Sequence, residues 1–392
     1  MKRDEITHTQ LTALIWAGVL APAAELLPAL MLPLAGRAAW LTPAWAIPLV
    51  LLAGWLLGGL AGERGPAHTI RAGLGPWAGR GVLAIYLVWC ELLLALRLRL
   101  CAQRLLPAGE RDGSLWFFLA VVSALVLWMG LGKLSAFARA GQIFLVVLFA
   151  VGAVVLLLSV SKVRIERLIP LTWEEGGKAA RAALSAAGVL GWGWCGAFLC
   201  GQVARGEDRG RWHWAFWGAG GCFLLLLAQG VIIGNLGSVL AGRLDNPFFA
   251  LAKSVGVEGA FQRVESLVIA LWTLADLTMA GLLLFAQRAL WRELGPAETD
   301  RKASVVLMIL AVVLAWAAFS EEGDTLYWSR AIVPAGNLLL GLLVPLLLRM
   351  LLALCERWRK AGISCGQNGG KSGRYSCSEK DEKKTGKNEK KC

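Results

Sequence analysis

The chain has 392 residues, of which 57% are hydrophobic and only 17% are charged. The charged residues cluster between apolar runs of about 20 residues, which is the length that crosses a bilayer. This spacing excludes a soluble globular domain and predicts an all-α polytopic protein embedded in a lipid bilayer.

The net charge of +13 does not predict nucleic-acid binding, because about half of it lies in a C-terminal tail. Residues 356–392 hold eleven Lys or Arg against five acids and are rich in Lys, Gly and Ser. This composition predicts disorder, and a basic segment after the last span favours the cytoplasmic side of a membrane. We therefore predict a transmembrane permease-like domain of residues 1–355 and a basic cytoplasmic tail of residues 356–392.

Ten apolar segments are predicted to span the membrane. In chain order they cover residues 6–34, 45–60, 81–101, 115–131, 141–160, 182–203, 214–236, 267–289, 303–319 and 331–354. An even number of spans places both termini on one side. Lys and Arg are divided equally between the two sets of loops, so the basic tail decides the orientation and predicts cytoplasmic termini.

The first and sixth spans contain residues that disturb an α-helix. In the first span Pro22 and Pro28 each lack a backbone donor, and Glu25 lies between them. In the sixth span four glycines within residues 188–196 weaken the helix. Taken singly, either feature indicates a kink or close helix packing. Because each occurs in the first span of a five-span block, together they favour a transporter-type site near the middle of the membrane.

The two blocks, residues 6–160 and 182–355, are predicted to be structural repeats. An unwound turn in a membrane helix frees N–H and C=O groups that protein, water or a ligand must satisfy. A small zwitterion such as an amino acid suits such a site. Its carboxylate can bind at a helix N-terminus, and its ammonium group can bind near free carbonyls.

Three acidic residues lie inside predicted spans: Glu25 in the first, Glu91 in the third and Asp276 in the eighth. A carboxylate inside a membrane is expensive to hold, so each is a candidate to bind a ligand or a proton. Asp276 and Glu91 can also serve to tie their helices to a neighbour, and for Glu91 we favour that structural role. Arg97 and Arg99, near the end of the third span, are predicted to extend toward the membrane surface.

Several short segments carry a resemblance to a known family. The most specific lies at the start of the eighth span, where an aromatic residue, an Arg, Glu-Ser and a Trp are spaced over residues 261–272. Further matches are Ile6-Thr-His-Thr-Gln10, Leu27-Pro28, Leu168-Ile-Pro-Leu171 and Asn246-Pro-Phe-Phe249. With these features the chain resembles the spore germination permease family, the B subunits of the nutrient receptors of endospores. That family is part of the amino acid–polyamine–organocation superfamily.

The resemblance implies a LeuT-like fold of two inverted five-helix repeats with interrupted helices 1 and 6. It also implies a nutrient sensor of the inner spore membrane that assembles with an A subunit and a lipoprotein C subunit. Thr278 and Leu190 match pocket residues of relatives. The chain departs from the family at Ala21-Pro-Ala-Ala24, which replaces a glycine-containing break, and at Gly193, where relatives often carry Glu. The identity of the nutrient is therefore left open.

Residues and resemblance together predict a germinant-receptor B subunit that binds a small nutrient, expected to be an amino acid, between spans one, three, six and eight. The predicted ligand-binding residues are Ala21, Ala23, Ala24, Glu25, Leu190, Gly191, Trp192, Gly193, Asp276 and Thr278. The candidates for proton coupling are Glu25, Glu91 and Asp276. The alternatives are a proton-coupled amino acid transporter of the same superfamily and a structural subunit with an inactive pocket.

No enzymatic activity, cofactor or metal site is predicted. The sequence has no Walker phosphate loop, and its three histidines, His8, His68 and His213, fall at helix ends or in loops. Its nine cysteines lack the spacing of a zinc site.

Overall fold

The computed structural model describes residues 4–62, 64–106, 114–169, 172–204, 212–244, 246–254, 264–295, 300–319 and 321–366. The chain divides into a compact unit, Met1–Met350, and a second unit, Leu351–Cys392. Apart from an isolated parallel bridge between Ile6 and Val203, the regular secondary structure of these described ranges is helical. Parts of three segments singled out in the sequence lie outside the described residues: residues 170–171, 261–263 and 367–392.

Long α-helices joined by short helical turns make up the fold. The α-helices are, in chain order, α1 (His8–Ala35), α2 (Thr42–Ala61), α3 (Pro66–Leu74), α4 (Pro76–Leu105), α5 (Leu115–Leu131), α6 (Leu134–Val160), α7 (Trp173–Leu190), α8 (Trp212–Leu236), α9 (Ser238–Arg243), α10 (Pro247–Ser254), α11 (Val264–Leu294), α12 (Asp300–Ala317), α13 (Glu322–Tyr327), α14 (Val333–Leu338) and α15 (Val344–Gly366). Segments of 3-10 helix are Gly36–Leu41, Ile165–Arg167 and Gly191–Gln202, and π-helical turns are Trp328–Ile332 and Leu339–Leu343.

The long helices coincide with the predicted membrane spans. By length and composition, seven of the described helical segments could cross a membrane, and one of these, His8–Ala61, contains both α1 and α2. The helix α5 is a shorter apolar helix, and α12 is apolar after a charged first turn. Each of the ten predicted spans therefore lies on a described helix, the last of them on the run from α13 to α15. The predicted all-α polytopic architecture is confirmed.

The surface of α6 shows how the bundle suits a membrane. Ile143, Val146 and Leu157 of this helix are 64%, 67% and 72% exposed. Large apolar side chains exposed in this number would be unfavourable in water but are compatible with acyl chains. The bundle is that of an integral membrane protein.

The first helix is not broken at its predicted interruption. α1 runs continuously through Pro22 and Pro28. Because Pro28 has no N–H, the carbonyl of Ala24, four residues earlier, lacks its helical donor. The amide Nε2 of Gln229 on α8 donates to that carbonyl at 3.3 Å. Pro28 therefore frees a backbone carbonyl, but a side chain from another helix satisfies it and the helix stays intact.

The sixth span changes its helix type within the glycine-rich segment. α7 ends at Leu190, and Gly191–Gln202 continues as a 3-10 helix. The Nδ2 atom of Asn337, on α14, donates to the carbonyl of Gly188 at 3.1 Å, just before this junction. A Cβ atom at Gly188 would lie 2.3 Å from the carbonyl oxygen of Pro334, so only glycine permits this close helix contact.

Three further polar side chains bind at α14 and the turn that follows it. The Oδ1 atom of Asn337 accepts from the indole N–H groups of Trp89 and Trp194 at 3.1 and 3.2 Å. The Tyr86 hydroxyl donates to the carbonyl of Leu340 at 2.8 Å, in the second π-helical turn. Such turns leave carbonyls without their usual helical donors, and in a membrane a partner from another helix must satisfy them.

The residues before α1 close one end of the bundle. The N–H of Ile6 donates to the Gln202 carbonyl at 3.0 Å, and the N–H of Ala204 donates to the Ile6 carbonyl at 2.9 Å. The carboxylate of Asp4 accepts from the first two N–H groups of α6 at 2.5 and 3.2 Å, which caps that helix. We call these contacts the N-terminal latch, because they join the start of α1 to the end of the sixth span and to α6.

Candidate functional site

Four charged side chains meet between α1, α4 and α11. The Nη1 atom of Arg97 lies 2.9 Å from Oδ1 of Asp276. Arg104 bridges both acids, with its Nε atom 3.1 Å from Oδ2 of Asp276 and its Nη1 atom 2.6 Å from Oε2 of Glu25. Two positive and two negative charges therefore balance in this ionic cluster (Glu25, Arg97, Arg104 and Asp276). The cluster links three helices that are distant in the sequence.

Arg97 and Arg99 do not extend to the membrane surface, so that prediction is wrong. They are 3% and 4% exposed. The guanidinium carbon of Arg97 lies 4.1 Å from the ring centroid of Trp192, on a side chain that is also bound to Asp276. An opposite charge and an aromatic face together hold the guanidinium inside the protein.

Arg104 is a candidate residue that the sequence analysis missed. Its bridging position makes it the centre of the ionic cluster. The sequence does contain a signal for Arg104, which is its spacing of seven residues from Arg97. Residues seven apart lie on the same stripe of an α-helix. Arg97 and Arg104 form such a pair on α4, and two acids in other spans required partners.

A polar cavity of about 90 Å³ adjoins the ionic cluster. It lies between α1, α4, the sixth span and the segment that contains the first π-helical turn. Its lining residues are Val19, Pro22, Ala23, Glu25, Leu26, Arg97, Leu100, Val189, Trp192, Leu326, Ser329 and Arg330. The Nε atom of Arg97 is buried and has no hydrogen-bond partner among the described residues. Glu25 and Arg97 both line the cavity, so a carboxylate and a guanidinium meet in one small space.

The structure brings some of the predicted ligand-binding residues together in the polar cavity and places others elsewhere. Ala23, Glu25 and Trp192 line the polar cavity. Ala21 and Ala24 line a second, apolar cavity of about 190 Å³ between α1, α6, α8 and α11. Two faces of the same stretch of α1 thus line different cavities, because successive side chains on a helix point to different sides.

The remaining predicted residues do not line the polar cavity. Leu190, Gly191 and Gly193 line a third, apolar cavity of about 140 Å³ on the side of α2 and α8. Thr278 is fully buried, and its hydroxyl donates to a carbonyl of its own helix at 2.7 Å. Asp276 does not line the cavity, but it binds the lining residue Arg97.

Glu91 belongs to a separate site on α4. Its Oε2 atom accepts from Nε2 of Gln287 on α11 at 2.9 Å. Both residues are buried. The three acids of the predicted spans are therefore divided between two environments, the ionic cluster and the Glu91–Gln287 pair.

Among solved structures the fold resembles that of MhsT, determined in complex with L-phenylalanine. The TM-score is 0.64 at 13% sequence identity, and the match covers 87% of this chain and 89% of that chain. At this identity the likeness concerns the fold, which is that of the LeuT-type transporters. The predicted LeuT-like fold is confirmed.

The sequence was compared with proteins of curated function and with models of protein families. No protein of curated function matches the chain. The family model described as spore germination protein matches residues 5–323, which is most of the chain. A role as a germination permease or transporter-like protein follows from that family and the fold. The chain belongs to the spore germination protein family, as its sequence features indicate.

Proposed function

We propose that the chain is the B subunit of a spore germinant receptor and that a small amino acid binds in the polar cavity. The observation that supports this proposal is the presence of Glu25 and the buried guanidinium of Arg97 in one small cavity. A carboxylate and a guanidinium match the ammonium and carboxylate groups of a zwitterion, and charge-assisted hydrogen bonds of this kind are strong.

The ligand carboxylate binds the guanidinium of Arg97, whose Nε atom has no hydrogen-bond partner among the described residues. The ligand ammonium group lies near Glu25, whose side chain is 21% exposed. The ligand side chain packs against Trp192 and Ala23. A cavity of about 90 Å³ favours a small side chain over a large aromatic one.

This site revises the predicted set of ligand contacts. It keeps Ala23, Glu25 and Trp192, adds Arg97, and does not require Thr278. Leu190, Gly191 and Gly193, which line the third cavity, would contact a ligand only in a conformation in which the sixth span has moved.

Ligand binding changes the contacts of Glu25. In the ligand-free cluster Glu25 binds Arg104 and so links α1 to α4. An ammonium group that competes for Glu25 weakens this link and favours a conformation in which the two helices are less tightly joined. A ligand shifts such an equilibrium only by its difference in affinity for the two states. The A subunit and the lipoprotein C subunit, in the inner spore membrane, sense that shift, and both termini of this chain are cytoplasmic.

Amino acid binding to the purified protein tests the proposal. Glu25→Gln and Arg97→Lys should each weaken binding at least tenfold, which corresponds to ~1.4 kcal/mol, and should reduce nutrient-triggered germination of spores that carry the variant. Glu174→Gln changes a fully exposed acid at the start of α7 and is the control that should leave binding unchanged. Wild-type affinity in both cavity variants would refute the assignment of the site.

A proton-coupled amino acid transporter is the second candidate. The similarity in fold to MhsT over 87% of the chain favours it. Uptake of labelled amino acids into proteoliposomes, with and without a pH gradient, separates the two functions. Accumulation driven by the gradient supports the transporter, whereas binding without accumulation supports the sensor. A structural subunit with an inactive pocket would show neither accumulation nor binding of the amino acid.

A further inference from the structure

A buried carboxyl group lies between α4 and α11, apart from the polar cavity. Glu91 is 4% exposed and Gln287 is fully buried. The Nε2 atom of Gln287 lies 2.9 Å from Oε2 of Glu91. At 1.5 Å per residue, Glu91 is about 9 Å along the axis of α4 from Arg97, so the two sites lie at different levels of the bundle.

Two oxygen atoms of this pair lack a donor. Oε1 of Glu91 and Oε1 of Gln287 are buried and have no hydrogen-bond partner among the described residues. The two ends of an amide are alike in shape, so the amide of Gln287 can also turn over. A protonated Glu91 would then donate to the amide oxygen across the same 2.9 Å. In the described orientation the two free oxygens lack a donor, and in the turned orientation a proton on Glu91 supplies the hydrogen bond between the pair.

The guanidinium groups of Arg97 on α4 and Arg288 on α11 have described partners other than Glu91. Arg97 binds Asp276 at 2.9 Å. Arg288, the residue after the partner of Glu91, donates to the carbonyl of Gly130 at the end of α5. Neither guanidinium has a described ion pair with Glu91.

The other helices around α4 bring no described counter-charge to Glu91 either. On α3, Arg71 pairs with Glu293 at 3.3 Å. The helix α5 contains no ionisable residue, and the cations of α12, Arg301 and Lys302, are exposed. α13 meets α4 at Gln103, beside Arg104 of the ionic cluster and about three helical turns from Glu91. The remaining titratable neighbours are buried groups that carry no positive charge: Tyr86, Cys90 and Cys195.

We propose that Glu91 is a proton-binding site, a neutral carboxylic acid that shares its proton with Gln287. An ionised carboxylate at this position would lack a counter-charge in an apolar interior. That state costs far more than a neutral acid with a hydrogen-bond partner. Glu25 and Asp276 differ, because both are paired with arginine in the ionic cluster. Of the three acids, Glu91 is the one whose stable form here is protonated.

A proton suits the site better than a metal ion. Cations such as Ca²⁺ take six or more oxygen ligands, whereas the unpaired oxygens here are one from Glu91 and one from Gln287. α4 and α11 are also continuous α-helices through these residues, so their carbonyls already accept helical hydrogen bonds.

Loss of the proton would place a bare negative charge in the interface between α4 and α11. The protein would then favour a conformation that admits water or a cation to Glu91, so the packing of these two helices depends on pH. This inference is independent of the ligand proposed for the polar cavity.

Infrared difference spectroscopy on the purified full-length protein tests the proposal. At neutral pH the wild type should show a carboxylic acid C=O stretching band that is absent from Glu91→Gln. Glu25→Gln is the matched control and should retain that band, because Glu25 is paired with Arg104. Loss of a carboxylate band in Glu91→Gln, in place of the acid band, would overturn the proposal.

A second variant keeps the test valid if Glu91→Gln does not fold. Gln287→Leu removes the hydrogen-bond partner and should move the acid band to higher frequency. An unchanged spectrum would contradict the assignment. Thermal unfolding in sodium, potassium and calcium chloride should give the same melting temperature for the wild type in each salt. Stabilisation by one cation that is lost in the Glu91 variant would instead indicate a cation site.

Discussion

At the scale of single residues, the stability of the bundle depends on how its buried charges are paired. Asp276 is fully buried and accepts hydrogen bonds from two arginines. Glu25 shares Arg104 with it but remains partly exposed. Breaking a buried ion pair is costly because the remaining charge stays buried without compensation, whereas a partly exposed charge retains water.

We expect Asp276→Asn to destabilise the protein by about 3–5 kcal/mol, since it leaves two arginines with one acid between them. Glu25→Gln should cost about 1 kcal/mol or less, because its side chain is partly solvated. Thermal unfolding in detergent measures both changes. Equal losses for the two variants would show that Asp276 is not the anchor of the cluster.

At the scale of elements, the two proline- and glycine-rich spans keep their helical course because other helices satisfy the groups that they free. Gln229 satisfies Ala24 in α1, and Asn337 satisfies Gly188 at the end of α7. The first bond replaces a helical one that Pro28 removes, and the second binds the α-helix just before it changes to 3-10 helix. The distortions therefore link the first span to α8 and the sixth span to α14.

A double-mutant cycle tests the first of these links. Gln229→Leu should cost about 1–3 kcal/mol, because it leaves the buried carbonyl of Ala24 unsatisfied. Pro28→Ala restores an N–H four residues after Ala24, which can donate to the same carbonyl. In the Pro28→Ala background the Gln229 change should therefore cost much less.

Urea or thermal unfolding of the four proteins gives the coupling energy between the two positions. Additive effects would mean that Gln229 does not replace the missing helical donor. Ser161→Ala, at an exposed helix end, is a control that should change stability by less than about 0.5 kcal/mol.

At the scale of the whole molecule, the N-terminal latch closes one end of the bundle while the ionic cluster joins α1 to α4 and α11 further along. The latch residues lead directly into α1, and Glu25 of α1 belongs to the cluster. A protein with the LeuT fold that changes state must therefore alter contacts of α1 at the two levels. This arrangement makes α1 the element through which a ligand in the polar cavity can influence the far end.

Removing the Asp4 cap should loosen the latch. Asp4→Ala removes two capping hydrogen bonds, worth ~1 kcal/mol. The form of the protein in which the latch contacts are broken should therefore become about fivefold more populated. Site-resolved maleimide labelling of Cys200, on the 3-10 segment that the latch binds at Gln202, should rise accordingly. The buried Cys222 and the exposed-site variant Asp324→Ala are controls that should show no increase. Unchanged labelling of Cys200 would mean that the latch does not limit access.

The sequence by itself determined the membrane class, the positions of the ten spans and the family. These follow from local properties: the length of apolar runs, the spacing of charges and a few short motifs. The weak points in the first and sixth spans were also visible, because proline and glycine act on the backbone wherever they stand. The structure that these weak points adopt was not visible in the sequence, because the residues that satisfy them, Gln229 and Asn337, come from distant parts of the chain.

Only the tertiary structure decided which polar side chains meet. Arg97 carries the same charge whether it extends to the membrane surface or binds Asp276, and no local pattern separates the two. In the sequence Arg104 is a cation near the end of α4, and only the packing of α1 and α11 against α4 shows that it binds two acids. Glu91 likewise became distinct from the other acids only once its neighbours were known. The free energy of a buried charge depends on the groups within a few ångströms, and here those groups belong to other helices.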